Sequence, residues 1–368
     1  MKGKRRKTGA RSELRQPRAI VTLEDVARTA GVHYSTVSRS LDPNKVWRVN
    51  EATRKHVQAV ARRMGYQRDM VASALKRGRT QTVAVIVGDL GNPSIARVVR
   101  GIANRLEPAG LMPLISETQD DSDRLDRILD HLLSRRVDAI ILTAARLADA
   151  PKLRRINRHG IPVVLALQNL PGIRLPACTN DDLLGGTLAA QHLLSLGHRR
   201  VAQLRGPPDI YSCFERAQGF SAAIAAADAV EVRVRATAQT GSLDDGRRLM
   251  RQLLDSGREL PTGIFAHHDF MAFGALTVAE ERGLMSPRDL SIIGYHDLPL
   301  VERTAPPLTS IRVLHEELGR NAAEMAVQLL TSSDRVPASR RLAPTLVVRE
   351  STAPLRLPQA ISDGRSEA

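Results

Sequence analysis

The chain has 368 residues, too many for one small core and enough for two or three domains. Its 42% hydrophobic content supplies ample burial, and its two cysteines, Cys178 and Cys213, fit neither a disulfide framework nor a CxxC metal pair, which places the chain in a reducing cytoplasm. The net charge of +15 is lopsided: residues 1–79 hold 20 of the 54 Lys and Arg but 6 of the 39 Asp and Glu, leaving 34 against 33 for the remainder. Charge gathered in this way marks a segment built to meet a polyanion, joined to a neutral body. No apolar run approaches the roughly 20 residues of a membrane helix. Glu24 and Asp25 follow Ala19, Ile20 and Val21 too closely for a signal peptide.

Residues 1–20 have no apolar periodicity and read as a disordered basic arm. Thr22 then stands as an N-cap with Asp25 completing a short capping box. Leu23, Val26, Ala27 and Ala30 share one helical face, and Gly31 ends the helix. A second helix turns Val37 and Leu41 inward and leaves Tyr34, Ser35, Ser38 and Arg39 outward. A third starts at Asn50, buries Val57, Val60, Ala61 and Met64, and stops at Gly65. Three helices on one small core, the second with polar side chains outward, describe a helix-turn-helix domain over 21–66. In a major groove Arg39 would offer two parallel donors to guanine, with Tyr34 and Ser35 adding contacts to base edges. A helical hairpin used for protein contact is the competing reading.

The stretch VTLEDVARTAGVHYSTVSRSL, followed by TRKHVQAVARRMGY, resembles the opening of the lactose-repressor (LacI) family of bacterial transcription regulators. The resemblance implies base reading by Tyr34, Ser35 and Arg39, and phosphate contacts by Thr22, Ser38 and Asn50. The loop LDPNKVWRVN, with Trp47 flanked by Lys45 and Arg48, is longer than the family's usual one. Residues 67–80 then match the family's hinge helix, which pairs with a second copy in the minor groove. Small Ala72 would allow close approach, Leu75 would wedge a base step, and Lys76 would meet phosphate. An ordinary interdomain linker is the alternative there.

From Gln81 the pattern becomes apolar strands alternating with amphipathic helices: TVAVIV, LMPLIS, DAIILTAA, IPVVLAL, RRVAQL, GIFAH and LSIIGY are the strands. Such alternation predicts an α/β body of two doubly wound parallel-sheet lobes, with ligand in the cleft outside the strands' carboxyl ends. DLGNPS, RRVDAIIL, LGHRRVAQL, DLSIIGYHD and PPLTSIR stand in the same family's order, implying a type I periplasmic-binding-protein-like core. Its N-terminal lobe is expected over 81–179 and 312–342 and its C-terminal lobe over 180–311 and 343–353, followed by a tail over 354–368. The tail has no leucine heptad, which favours a dimer over a tetramer.

The resemblance places effector contacts at Ser94, Ile95, Thr143, Arg216, His268 and His296. The family has Asn at the position of His268, an acidic residue at His296, and Asp at Leu167. Two imidazoles and a leucine for these groups point to a cleft of lower negative charge and an acidic effector, such as a sugar acid. Core histidines, with the pocket anchored elsewhere, are the alternative.

No GxSxG elbow, phosphate loop or paired-histidine zinc motif is present, so no catalytic residue, metal or cofactor is expected. The adjacent Asp181 and Asp182 read as helix caps. The expectation is a homodimeric, ligand-responsive repressor on a near-palindromic operator. An architectural DNA-binding protein without small-molecule control, or a cleft enzyme carrying a DNA-binding appendage, are the rival readings.

Overall fold

The computed structural model describes residues 21–42, 48–67, 78–332 and 336–355. The basic arm, Trp47, the hinge residues Ala72, Leu75 and Lys76, and most of the tail lie outside the described residues. The chain divides into two compact units, one up to Gly78 and one from Arg79.

In the first unit, α1 (Leu23–Ala30), α2 (Tyr34–Ser40) and α3 (Glu51–Met64) enclose Val26, Val37 and Val57, none of which is solvent-exposed. The ends are set locally. Thr22 and Asp25 form a reciprocal capping box, and Gly31 and Gly65 take the left-handed conformation with φ of 65° and 69°. A residue with a Cβ is strained there, so these glycines fix where each helix stops.

The second unit holds two six-stranded sheets. One has the order β11-β5-β4-β3-β1-β2, built from β1 (Thr82–Val87), β2 (Met112–Glu117), β3 (Ala139–Leu142), β4 (Val163–Ala166), β5 (Ala177–Asn180) and β11 (Arg340–Leu342). The other runs β12-β10-β9-β8-β6-β7, from β6 (Arg200–Leu204), β7 (Val230–Val232), β8 (Gly263–Ala266), β9 (Ser291–His296), β10 (Thr309–Arg312) and β12 (Thr345–Val347). The chain passes between sheets after β5, after β10 and between β11 and β12. One pairing departs from an all-parallel arrangement: β12 runs antiparallel to β10, Ile311 facing Leu346.

Helices cover both faces: α4 (Pro93–Leu106), α5 (Ser122–Arg135), α6 (Ala150–Arg158) and α11 (His315–Thr331) lie with the first sheet. With the second lie α7 (Asp182–Ser195), α8 (Tyr211–Ala226), α9 (Leu243–Leu254) and α10 (Asp269–Glu281). β1, β3 and β4 are buried on both faces, as parallel strands sandwiched by helices must be. Where α4 crosses α11, a methyl on Gly101 would collide with the Glu316 carbonyl, and one on Gly319 with that of Val98. Backbone contact at this crossing holds together two segments more than 200 residues apart in sequence.

Candidate functional site

The first unit offers a surface for nucleic acid. α2 presents Tyr34, 52% exposed, with exposed Arg39 and half-buried Ser35 and Ser38. Its N-cap is His33, whose Nδ1 accepts from the Ser35 amide at 3.3 Å and lies 2.9 Å from the Ser35 hydroxyl. Sequence reasoning missed this role, since serine, threonine, asparagine and aspartate are the usual signals. Thr22 is committed to its capping box, its hydroxyl donating to Asp25 Oδ2 at 2.7 Å. Asn50 Oδ1 accepts from Ala52 N at 2.8 Å, which turns its amide nitrogen outward as a donor.

The second unit holds a cleft of about 610 Å³ between its two sheets. Its walls come from the carboxyl ends of the strands: Asp89 follows β1, Glu117 ends β2, Thr143 follows β3, Asn180 ends β5, His267 and His268 follow β8, and His296 ends β9. Placement follows from topology, because side chains beyond strand ends are freed from the sheet and converge there. Four lining residues without glycine's freedom, Gln119, Asp120, Leu167 and His296, hold φ of 54°, 57°, 67° and 105°. Backbone in this costly region clusters at the cleft.

All six expected effector residues line it: Ser94, Ile95, Thr143, Arg216, His268 and His296. Their chemistry differs from the expectation. Arg216 is 4% exposed, and its charge is already answered: Nε and Nη2 donate to Asp182 Oδ1 at 3.1 and 2.7 Å, and Nη1 to the His267 carbonyl at 2.5 Å. The guanidinium also lies 3.6 Å from the centre of the Tyr295 ring, whose hydroxyl donates to the same Asp182 oxygen. Asp181 does cap α7 through the Leu184 amide, but Asp182 is the counter-ion of Arg216 and not a cap.

The imidazoles are neutral. Burial, then Arg216 and His315, holds His268 down to about 3. Burial, then His268, Arg216 and His315, holds His296 well below its ordinary value. His268 caps α10 by accepting the Phe270 amide on Nδ1 at 3.1 Å, which leaves the proton on Nε2. His296 Nδ1 lies 3.2 Å from Nε2 of His315, the first residue of α11.

The opposite wall is acidic, and the sequence reading overlooked it. Among the described residues Asp89, Glu117, Asp120 and Asp182 line the cleft against Arg146 and Arg216. The cleft differs in balance from that expectation: Arg216 is bonded to Asp182 and Arg146 to Asp209, burial disfavours the charged form of its histidines, and four carboxylates line it with two guanidiniums. The signal was present in the position of Asp89 and Glu117 just beyond or at the ends of apolar strands. Asn180 was missed for the same reason, its strand β5 being too short to read.

Three buried polar atoms on these walls have no hydrogen-bond partner: Ser94 Oγ, Asn180 Oδ1 and His268 Nε2. Buried polar groups are nearly always satisfied, so a cluster on one cavity marks where a ligand completes the set.

Residues 22–69 match the family described as bacterial regulatory proteins, lacI family, and residues 190–352 match a periplasmic binding protein-like domain. The HTH-type transcriptional repressor CytR of Escherichia coli is 31% identical over 96% of this chain and 100% of its own length. A transcriptional regulator CelR–cellobiose complex is 30% identical with a TM-score of 0.69, covering 90% of this chain and 99% of that one. The Lac repressor dimer bound to operator and the anti-inducer ONPF has a TM-score of 0.80 at 26% identity, over 91% and 99% of the two chains.

Proposed function

The chain belongs to the LacI family of bacterial regulatory proteins, and from that premise we propose that it is a cytoplasmic, homodimeric repressor whose operator affinity is set by a small polar effector in the cleft. One observation carries the reading: Ser94 Oγ, Asn180 Oδ1 and His268 Nε2 are buried and unpartnered on the cavity that joins the two lobes. A non-enzymatic role fits these groups, which bind and orient without a nucleophile poised beside a base.

In this reading α2 enters the major groove, where Arg39 pairs with guanine and Tyr34 and Ser35 meet neighbouring base edges. Thr22, Ser38 and Asn50 fix the register on phosphates. The hinge residues Ala72, Leu75 and Lys76 extend the contact into the minor groove at the dyad. The effector is a hydroxyl-rich molecule of the carbohydrate class, whose hydroxyls donate to Asp89, Asp120 and Asn180 and accept from His268. Coupling of about 1–3 kcal/mol between cleft and headpiece would change operator affinity roughly 5–150-fold.

Fluorescence anisotropy of the full chain on duplexes from its own upstream region, with and without cellobiose, ribose and related sugars, tests this. A sugar that shifts the operator titration curve, and ceases to do so in His268→Ala, is the expected result. Operator binding indifferent to every sugar that binds the protein would refute effector control.

A further inference from the structure

The acidic wall of the cleft is chemically specific. Asp89 and Glu117 accept only backbone amides in the described hydrogen-bond set, from Gly91 at 2.7 Å and Leu90 at 2.8 Å. Asp120 has a distant cationic neighbour, Arg146 Nη2 at 3.8 Å. Arg146 is itself bonded more tightly, at 2.5 Å, to Asp209 across the cleft. Asp120 Oδ1 packs over Gly88, where a Cβ would collide with it, and both residues line the cavity.

Burial pushes the Asp120 carboxyl above its ordinary range, opposed by Arg146 and reinforced by Asp89, Asp209 and Glu117. A cation placed beside Asp120 would oppose that rise, and among the described residues Asp89 and Glu117 have no ion pair while Arg146 is engaged by Asp209. The second, independent sign of a ligand is Ser94, 3% exposed and on the same lobe, with its hydroxyl unpartnered. Asn180, equally buried, adds an unanswered acceptor. The demand on the ligand is thus for donors and for positive charge.

We infer that the effector carries a protonated amine that seats among Asp89, Glu117 and Asp120, with its hydroxyls turned towards Ser94, Asn180 and His268. The inference rests on the cleft being the effector site, and it narrows the class from hydroxyl-rich molecules to amino-polyols and amino sugars. An ammonium group brings three donors and a positive charge, which suits a wall where three carboxylates face one guanidinium that is already engaged. A carboxylate or phosphate in the same place would meet like charge at short range, with no unengaged guanidinium among the described lining residues to offset it.

Three probes are built on one fully substituted carbon: Tris with three hydroxymethyls and an ammonium, trimethylolethane with three hydroxymethyls and a methyl, and 2,2-bis(hydroxymethyl)propionate, in which a carboxylate replaces one hydroxymethyl of the triol. Each is titrated into the full chain at about pH 7 in an amine-free buffer of constant ionic strength, with the ring-proton signals of His268 and His296 as the readout. Tris is expected to bind at least about tenfold tighter than the neutral triol, and the carboxylate weakest. Asp120→Asn, which keeps the shape, removes most of that preference. Equal binding of Tris and the triol, a stronger carboxylate, or a preference that survives Asp120→Asn overturns the inference. If Tris fails while the triol or a neutral sugar perturbs both histidines, the amine is wrong and the effector cleft stands. If neither the three probes nor any sugar reaches those signals, both readings fall.

Discussion

Asp182→Asn should destabilise the two-lobed unit severely, because the aspartate is the counter-ion of an arginine sealed from water. One oxygen of Asp182 receives Nε and Nη2 of Arg216 and the Tyr295 hydroxyl, at 3.1, 2.7 and 2.8 Å. The substitution leaves the guanidinium buried with a neutral amide whose own N–H groups compete for space with its donors. Breaking a buried pair from one side costs about 3–5 kcal/mol, a large share of the ~5–15 kcal/mol that holds a domain folded. Urea denaturation followed by far-UV circular dichroism measures it as a lower midpoint at unchanged slope. The double variant Asp182→Leu with Arg216→Met removes both charges and recovers most of the loss, giving a coupling of at least about 2 kcal/mol. A single variant costing under about 1 kcal/mol, or a double variant no better than the sum of its parts, would show that this pair is not the electrostatic centre described.

Stability should fall with acid in the range where the buried histidines His268 and His315 titrate in the unfolded chain. Burial, then Arg216 and His315, holds His268 down to about 3, and burial, then Arg97, holds His315 down to about 4. A base with a depressed folded pKa binds fewer protons folded than unfolded, so its contribution is present above about 6.5 and is lost as the pH drops towards 4, by up to about 1.4 kcal/mol per pH unit for each group. Denaturation midpoints at several pH values should therefore show a shallower acid slope in His268→Gln, and an unchanged slope contradicts the assignment. Gly319→Ala should cost about 1–3 kcal/mol by forcing α11 away from the Val98 carbonyl, read as a lower thermal midpoint. Arg39→Ala should weaken the operator by about 1–3 kcal/mol and relax preference at one base pair of each half-site, whereas Ser38→Ala should weaken all duplexes alike, both read by anisotropy on single-substituted operators.

The headpiece was legible almost residue by residue, because short helices advertise their ends: Thr22, Asp25, Gly31, Asn50 and Gly65 each do locally what their side chains or backbone freedom dictate. His33 escaped because an imidazole is an uncommon cap, although its position before Tyr34 matches the role. In the body, apolar runs such as TVAVIV announced their strands, while β5, β7, β10, β11 and β12, short and mixed in polarity, carry too little pattern to read. The six expected residues do line the cleft, but the groups packed around them could not be read from the sequence. Arg216 looked like a binding cation because its partner, Asp182, is 34 residues away in sequence and meets it only through the crossing of α7 and α8. The histidines looked ready to protonate because burial is invisible in a string of letters. Asp89, Glu117 and Asp120 come from consecutive strand ends, and their proximity exists only once β1 and β2 are paired.

Selection of binding sites from a pool of random duplexes by the full-length chain, repeated with Arg39→Ala, tests the central claim most directly. The account predicts enrichment of a near-palindrome by the native chain and loss of preference at one symmetric pair of positions in the variant. Recovery of no common sequence, or of the same sequence at undiminished preference by both proteins, would contradict it.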